Sequence, residues 1–210
     1  MTAYRVLPAG DRAVLVAVDS LDDALRAAHG LGALRDVEDL VPAGESVLVR
    51  FRPGVDLGAR LPDLGLLVDR ALSTSVPVEV SGEEVVLVVR YDGPDLDDVA
   101  RASGLTRAEV VAAHTGTAWT AAFAGFSPGF VYLVGGDPRL VAPRRAEPRA
   151  AVEPGSVALA ADYCSVYPTR SPGGWQLIGS TEHVMWDAAA DPPAAIVPGM
   201  RVRFVDGGSS

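Results

Sequence analysis

The stretch Gly125-Phe-Ser-Pro-Gly-Phe130 (GFSPGF) joins two short apolar runs through a turn rich in glycine and proline. Similar turns recur along the second half of the chain, at GGDP 135–138, EPGS 153–156, SPGG 171–174 and VPGM 197–200. Short strands that alternate with Gly/Pro turns at this spacing are typical of all-β sandwiches and barrels. The sequence therefore predicts a β-barrel for this half.

The residues before this barrel pattern are typical of a small α/β unit. Strands and helices are predicted in the order strand, strand, helix, strand, strand, helix, at 4–7, 13–18, 20–34, 37–41, 46–51 and 57–72. Ser20 is the predicted N-cap of the first helix, because its hydroxyl can accept a hydrogen bond from the first turn. The order is close to a ferredoxin-like arrangement. A further strand at 76–80 and a turn at Ser81-Gly82 place a domain boundary near residue 82.

The predicted fold class is therefore α+β. We expect a small ferredoxin-like α/β domain over residues 1–82 and a β-barrel domain over residues 83–210. Each predicted domain falls within the range of lengths that fold around their own core.

Charge and composition exclude several classes of partner. The 210 residues carry a net charge of −9, so the average surface repels the phosphates of nucleic acids and anionic lipids. We find no run of about 18 apolar residues and no apolar leader at the N-terminus. The single cysteine, Cys164, cannot form an internal disulfide. We therefore expect a cytoplasmic protein that binds neither nucleic acid nor membrane.

All 18 basic residues are arginine, which limits the chemistry that this chain can perform alone. Without lysine it has no P-loop, cannot form a Schiff base and cannot carry covalently attached biotin. Metal-binding patterns such as CxxC and HExxH are also absent from the sequence, so we expect no metal ligands.

Residues 125–129 match the G-x-S-x-G pattern of a hydrolase nucleophile, which would be Ser127. Such an elbow uses the backbone N–H of the residue after the serine in its oxyanion hole. Here that residue is Pro128, which has no N–H. We therefore predict a tight turn at the mouth of the barrel and no nucleophile.

Four arginines within eleven residues form a local concentration of positive charge. They are Arg139, Arg144, Arg145 and Arg149, and only Glu147 offsets them within that window. Guanidinium groups bind carboxylates and phosphates through paired hydrogen bonds, so the cluster is a candidate anion site. In the alternative interpretation they form surface ion pairs with the surplus acidic residues, worth about 0–1 kcal/mol each.

His114 and Trp175 each have a functional and a structural interpretation. The ordinary pKa of histidine suits proton transfer, but a histidine at the predicted helix C-terminus also interacts favourably with the helix dipole. Trp175 can offer a flat surface to a ligand or anchor the core, and its setting in a turn favours the core.

Eight short motifs follow one another in a specific order: His114-Thr115, GFSPGFVYL 125–133, Pro143-Arg144-Arg145, Pro148-Arg149, PGSV 154–157, Tyr167-Pro168, SPGGW 171–175 and Ile178-Gly179. In this order and spacing they resemble the KipI-like family, which is also described as allophanate hydrolase subunit 1 or as the B subunit of 5-oxoprolinase. Matches at 9–13 and 91–100 extend the resemblance over essentially the whole chain.

The resemblance implies a small α/β domain followed by a cyclophilin-like β-barrel. It also implies a KipA-like partner, of the type described as allophanate hydrolase subunit 2, and, in the fuller bacterial assembly, a LamB/YcsF-like protein. Such an assembly is an ATP-dependent 5-oxoprolinase that opens the 5-oxoproline lactam to glutamate. The ATP site would then be shared with the partner or held by it, and this chain would be inactive alone.

The family resemblance also suggests which residues form the site. His114 and Arg145 are expected to be catalytic. Binding of a small anionic amide substrate is expected from Phe126, Phe130, Arg144, Arg149, Tyr167, Gly173 and Gly174.

Two other functions remain open within this resemblance. The chain could be the carboxyltransferase half of a biotin-dependent enzyme of the urea and allophanate pathway, with biotin delivered on another chain. It could also be a KipI-type inhibitor of a histidine kinase. Two positions depart from the family pattern: Tyr163-Cys164-Ser165 replaces Gln-Thr-Gly, and Ser180 replaces an arginine. The missing arginine removes a potential anion contact.

Overall fold

Two units divide the chain, residues 1–79 and residues 80–210. The computed structural model describes residues 4–73 and 83–208. The predicted strand at 76–80 and the predicted boundary at Ser81-Gly82 lie outside the described residues.

The described part of the first unit, residues 4–73, is an antiparallel sheet with two helices. Its elements are β1 (Arg5–Pro8), β2 (Ala13–Ala17), α1 (Leu21–Leu31), β3 (Val37–Ala43), β4 (Ser46–Phe51) and α2 (Leu57–Ser73). The strands lie in the order β1-β2-β4-β3. Ser20 caps α1 as predicted, because its Oγ accepts a hydrogen bond from the backbone N–H of Asp23 at 3.2 Å.

The ferredoxin-like label stays a prediction. A ferredoxin-like unit has the order βαββαβ, with a last strand after the second helix. The series β2-α1-β3-β4-α2 follows that order as far as α2, and β1 pairs along the free edge of β2. A closing strand would fall within residues 74–82, which lie outside the part of the chain that the structure describes.

Over residues 83–208 the second unit contains a seven-stranded sheet, a separate two-stranded sheet and two helices. Its elements are β5 (Glu84–Val89), α3 (Leu96–Ser103), α4 (Arg107–Gly116), β6 (Trp119–Ala124), β7 (Val131–Val134), β8 (Arg149–Val152), β9 (Ser156–Ala160), β10 (Tyr163–Val166), β11 (Ser171–Gly173), β12 (Gln176–Ser180) and β13 (Arg201–Asp206).

The large sheet closes almost completely into a barrel. Its strands lie in the order β12-β9-β10-β7-β6-β13-β5, and β8 pairs with β11 outside it. Arg90 and Ser180 exchange two backbone hydrogen bonds of 2.8 Å, which join the two edges of the sheet. The protein therefore combines helices with a nearly closed β-barrel, as the spacing of its turns predicts.

Along β9 both faces of the barrel sheet are buried, and they differ in character. Along β9, Val157 and Leu159 pack into a core that includes α3 and α4 residues, whereas Ala158 and Ala160 pack into an aromatic cluster. Side chains alternate between the two faces of a strand. We call the first face the helix face and the second the aromatic face.

Within residues 4–73 and 83–208, no helix has both the length and the apolar character that a membrane crossing requires.

Candidate functional site

The aromatic face carries a small pocket, which we call the aromatic pocket. Its volume is about 90 Å³. Six of the seven residues predicted to bind substrate line it, and Arg149 does not. The complete lining is Phe126, Phe130, Tyr132, Arg144, Tyr167, Pro172, Gly173, Gly174 and Trp175.

The GFSPGF stretch forms the hairpin turn between β6 and β7 and places Phe126 at the rim of this pocket. Gly125 N–H donates to the carbonyl of Phe130 at 3.1 Å, which closes the turn. Phe126 adopts a φ of 69°, a conformation that is uncommon for residues other than glycine and that clusters at functional sites. Its ring is 61% exposed and lies edge-on to Phe130, with centroids 5.2 Å apart.

The setting of Ser127 is that of a hairpin and not that of a nucleophile elbow. An elbow joins a strand to a helix, whereas this turn joins two antiparallel strands. The Oγ of Ser127 is buried and has no hydrogen-bond partner within the described part of the chain. None of the described residues therefore serves as a base that activates it.

Beneath the rim, aromatic rings pack edge to face. Phe130 contacts Tyr167 and Trp175 with centroid distances of 5.3 and 5.5 Å. A Cβ on Gly173 would lie 2.3 Å from the Tyr167 hydroxyl oxygen, so any side chain at this position would displace the Tyr167 ring. Burial raises the pKa of Tyr167. Its hydroxyl therefore stays protonated beside the pocket.

Arg144 provides the pocket with a positive charge. Its guanidinium carbon lies 5.9 Å from the centroid of the Trp175 ring, in cation–π geometry. Among the described residues, none supplies a carboxylate within ion-pair distance of Arg144. Trp175 is 96% buried, so it is a core anchor and also a wall of the pocket.

The other three arginines of the cluster have carboxylate partners. Arg139 pairs with Asp137 at 2.6 Å on the surface and lowers the pKa of that carboxyl to about 2. Arg145 and Arg149 both donate to Oδ1 of Asp95, at 2.9 and 2.7 Å. Arg145 does not line the pocket and is held by Asp95, so its predicted catalytic role stays a prediction.

His114 lies in the helix-face core, away from the aromatic pocket. It is fully buried; its Nδ1 is 2.7 Å from the Tyr91 hydroxyl and its Nε2 is 3.2 Å from Cys164 Sγ. Cys164 belongs to the helix face, opposite the ring of Tyr132 and the other aromatic residues. Burial lowers the pKa of His114 to about 3. This neutral, buried ring does not line the aromatic pocket, and the catalytic role expected for His114 stays a prediction.

A larger groove of about 500 Å³ lies at the seam of the barrel. It is lined by Val86, Val88, Arg90, residues 180–183 and residues 207–208. None of the predicted site residues borders it, and both valines are at least half exposed. We therefore place the candidate site in the aromatic pocket, which combines apolar walls with an unpaired cation.

Sequence reasoning missed several residues of this region. Tyr132 and Pro172 line the pocket, and Asp95 anchors two arginines. The alternation of β7 could have indicated Tyr132, since Phe130 and Tyr132 are two residues apart. Nothing local distinguishes Asp95 from its acidic neighbours. Across the described ranges, no three His, Cys, Asp or Glu side chains are grouped as metal ligands.

Comparison with known proteins identifies the relatives of this chain. The family model described as carboxyltransferase domain, subdomain C and D, matches residues 4–196. The B subunit of the Bacillus subtilis 5-oxoprolinase is 37% identical over 103 residues, covering 48% of this chain and 43% of the relative. The same protein of Escherichia coli O157:H7 is 37% identical over 146 residues, covering 68% and 66%. The matches thus span less than two thirds of either relative's length.

A solved structure shares the fold. The urea carboxylase of Kluyveromyces lactis matches 99% of this chain with a TM-score of 0.75 and 18% identity, and the match covers 22% of that much longer chain. At this identity the likeness concerns the fold alone.

Proposed function

This chain belongs to the carboxyltransferase domain family, subdomains C and D, and on that premise we propose that it is one subunit of an ATP-dependent 5-oxoprolinase. The enzyme would open the 5-oxoproline lactam to glutamate. The naming of relatives as B subunits of 5-oxoprolinase supports this proposal. The same premise supports a cyclophilin-like barrel and a ferredoxin-like first unit as the finer description of the fold.

The observation that carries the proposal is the guanidinium of Arg144, which lies over the ring of Trp175 and has no carboxylate partner in the described part of the chain. 5-Oxoproline is a small, nearly planar ring that bears a carboxylate. A guanidinium binds a carboxylate through charge-assisted hydrogen bonds, and aromatic walls favour a flat ring. The aromatic pocket offers both groups in a space of about 90 Å³.

The chemistry requires groups that this chain does not supply. An unstrained amide is a poor electrophile, so ATP would transfer its γ-phosphoryl group to the lactam oxygen and leave as ADP. Water would then add to the ring carbon, and the C–N bond would break as the ring nitrogen takes up a proton. Hydrolysis of the resulting acyl phosphate would release phosphate and glutamate. The chain has no lysine, the residue that commonly reaches nucleotide phosphates. We therefore assign ATP binding to a KipA-like partner or to a site shared with it, with a LamB/YcsF-like protein completing the assembly.

A second candidate function rests on the fold. The likeness to a urea carboxylase favours the carboxyltransferase half of a biotin-dependent enzyme. The absence of lysine means that biotin would arrive on another chain. In this role the aromatic pocket would hold the amide that accepts the carboxyl group.

Reconstitution distinguishes these two functions. The chain is mixed with KipA-like and LamB/YcsF-like proteins, and glutamate formation from 5-oxoproline is measured with and without ATP. We expect ATP-dependent glutamate only when the partners are present. Carboxylation of urea by the chain with a biotin-bearing partner, and no glutamate from 5-oxoproline, would favour the second function.

A further inference from the structure

Asp95 is a buried carboxylate that gathers three hydrogen-bond donors from distant parts of the second unit. It is 2% exposed. Its Oδ1 accepts from Arg145 and Arg149, and its Oδ2 accepts from the backbone N–H of Leu177 at 2.7 Å. The Asp95 N–H in turn donates to the Leu177 carbonyl at 3.0 Å. One side chain therefore fixes both guanidinium groups against β12.

Asp95 makes these long-range contacts and does not cap its own helix, α3. It occupies the N-cap position of α3, yet its side chain makes no capping hydrogen bond. Aspartate at an N-cap usually accepts from the first turn of its own helix, which stabilises the helix by about 1 kcal/mol. The carboxylate instead reaches the two arginines, so the long-range contacts determine its orientation.

The resulting cluster retains a positive charge and unfilled donors. Two guanidinium groups share one carboxylate, which leaves one net positive charge. Arg145 Nε and Arg149 Nη1 are buried without a hydrogen-bond partner in the described residues. A buried unpaired donor costs about 1–3 kcal/mol, so a purely structural ion pair is a poor explanation of this arrangement. Parts of both side chains, 32% and 22%, remain exposed.

The cluster lies next to the aromatic pocket. The backbone N–H of Arg145 donates to the Gly174 carbonyl at 2.8 Å, and Arg149 pairs with Gly173 across β8 and β11. Both glycines line the pocket. The two arginines therefore stand on the chain segments that adjoin the pocket wall.

We propose that Asp95 is a positioning residue that holds Arg145 and Arg149 so that their remaining N–H groups bind an anionic oxygen at the edge of the aromatic pocket. The ligand class is a carboxylate or a phosphate. The inference deepens the proposed function, in which that oxygen belongs to the substrate or its phosphorylated form. It predicts anion binding by the chain itself, whatever reaction the assembly performs.

Calorimetric titration of the purified full chain with inorganic phosphate tests this inference, and 5-oxoproline in a parallel titration distinguishes phosphate from carboxylate. Ionic strength is kept constant with chloride. We expect saturable binding of at least one anion by the wild-type chain and at least tenfold weaker binding by Asp95→Asn. Asp137→Asn is the matched control, because it removes the carboxylate partner of the surface residue Arg139, and it should bind like wild type.

The direction in which anion affinity changes in Asp95→Asn distinguishes two roles of Asp95. In one it positions the two arginines, and in the other it only neutralises their charge. If Asp95 only neutralised the arginines, Asp95→Asn would raise the net charge of the cluster and strengthen anion binding. Unchanged or tighter binding by a folded Asp95→Asn therefore overturns the inference, as does a wild-type chain that binds neither anion.

A second variant covers the case in which Asp95→Asn does not fold. Arg145→Lys keeps the charge and one contact to Asp95 but removes Nε and the planar guanidinium. It should bind the anion at least tenfold more weakly, and wild-type affinity in this variant would equally overturn the inference. Absence of turnover by the reconstituted assembly, with anion binding intact, would count against the proposed reaction and not against the role of Asp95.

Discussion

The Nε2 atom of His114 lies 3.2 Å from Cys164 Sγ in the barrel core. A cysteine and a histidine at this distance are the components of a nucleophilic pair, but burial keeps both uncharged here. It raises the pKa of the Cys164 thiol and lowers that of His114. A reactive pair requires the opposite, a thiolate next to an imidazolium. The contact is therefore a structural hydrogen bond.

The buried His114 should make the protein sensitive to acid. The pKa of His114 is about 3 in the folded chain, against an ordinary value of 6.5. Between these values the unfolded chain binds a proton that the folded chain does not, so stability falls as pH drops below about 6.5. The slope from this residue approaches about 1.4 kcal/mol per pH unit. Urea unfolding from pH 7 to pH 4 measures it.

Variants isolate the contribution of His114 from that of the carboxylates. In His114→Gln the free energy of unfolding should lose the part of its pH dependence that comes from the His114 ring. In His183→Gln, at an exposed position, that part should remain. Equal slopes for His114→Gln and the wild-type chain would show that the ring does not titrate as its burial requires.

Removal of one arginine from the Asp95 cluster should lower stability. Arg149→Ala leaves the buried carboxylate with a single guanidinium, and unpaired buried charges are costly. Because Arg149 is 22% exposed and Arg145 remains, we expect a loss of about 1–3 kcal/mol in the free energy of unfolding. Arg139→Ala, which breaks an exposed pair, should change it by less than about 1 kcal/mol. Similar losses in both variants would contradict a special role for the buried carboxylate.

Arg144 should act on substrate affinity and not on folding. Its side chain is exposed and lies over the Trp175 ring, and none of the described residues gives it a carboxylate partner. Arg144→Gln in the reconstituted assembly should raise the KM for 5-oxoproline about tenfold with little change in kcat, as expected when an interaction common to ground and transition states is lost. Steady-state kinetics measure this, with Arg139→Gln as control. An equal rise in KM for the control would remove Arg144 from the site.

Local features of the fold could be predicted from the sequence, whereas long-range pairing could not. The Ser20 cap and the barrel turns depend on residues only a few positions apart, so their patterns are visible in the chain. The contact between Asp95 and Arg149 spans 54 residues, and no local property of either residue indicates the other. In the sequence the four arginines form one cluster. In the structure Arg139 pairs with Asp137 on the surface, Arg145 and Arg149 share the buried Asp95, and Arg144 has no carboxylate partner among the described residues.

The sequence also does not indicate on which face of the barrel sheet a side chain lies. The family motif and the ordinary pKa of histidine favour a catalytic role for His114, but neither indicates whether its side chain is buried. Its burial depends on Cys164 and Phe204, which come from β10 and β13. Phe126 and Phe130, in contrast, belong to the GFSPGF turn, and the two glycines belong to the SPGG turn, and both turns are visible in the sequence.

Two adjacent glycines of the SPGGW motif should respond differently to the same added methyl group. A Cβ on Gly173 would lie 2.3 Å from the Tyr167 hydroxyl oxygen and 2.8 Å from its Cζ, whereas a Cβ on Gly174 would lie 3.7 Å from Pro148. The first distance forces the ring of Tyr167 to move, and that ring is 98% buried. The second is an ordinary van der Waals contact. Gly173→Ala should therefore destabilise the chain by about 1–3 kcal/mol, as overpacking does.

Gly174→Ala is the matched control for this substitution. Like Gly173→Ala, it adds one methyl group to a glycine of the same turn. It should lower the free energy of unfolding by less than about 1 kcal/mol. Because Tyr167 and Gly173 both line the aromatic pocket, Gly173→Ala should also weaken 5-oxoproline binding, measured calorimetrically at a temperature where the variant is folded. If Gly173→Ala loses stability but binds 5-oxoproline as the wild-type chain does, then the substrate does not enter the aromatic pocket. Equal stability of the two alanine variants would mean that Tyr167 can move aside at little cost.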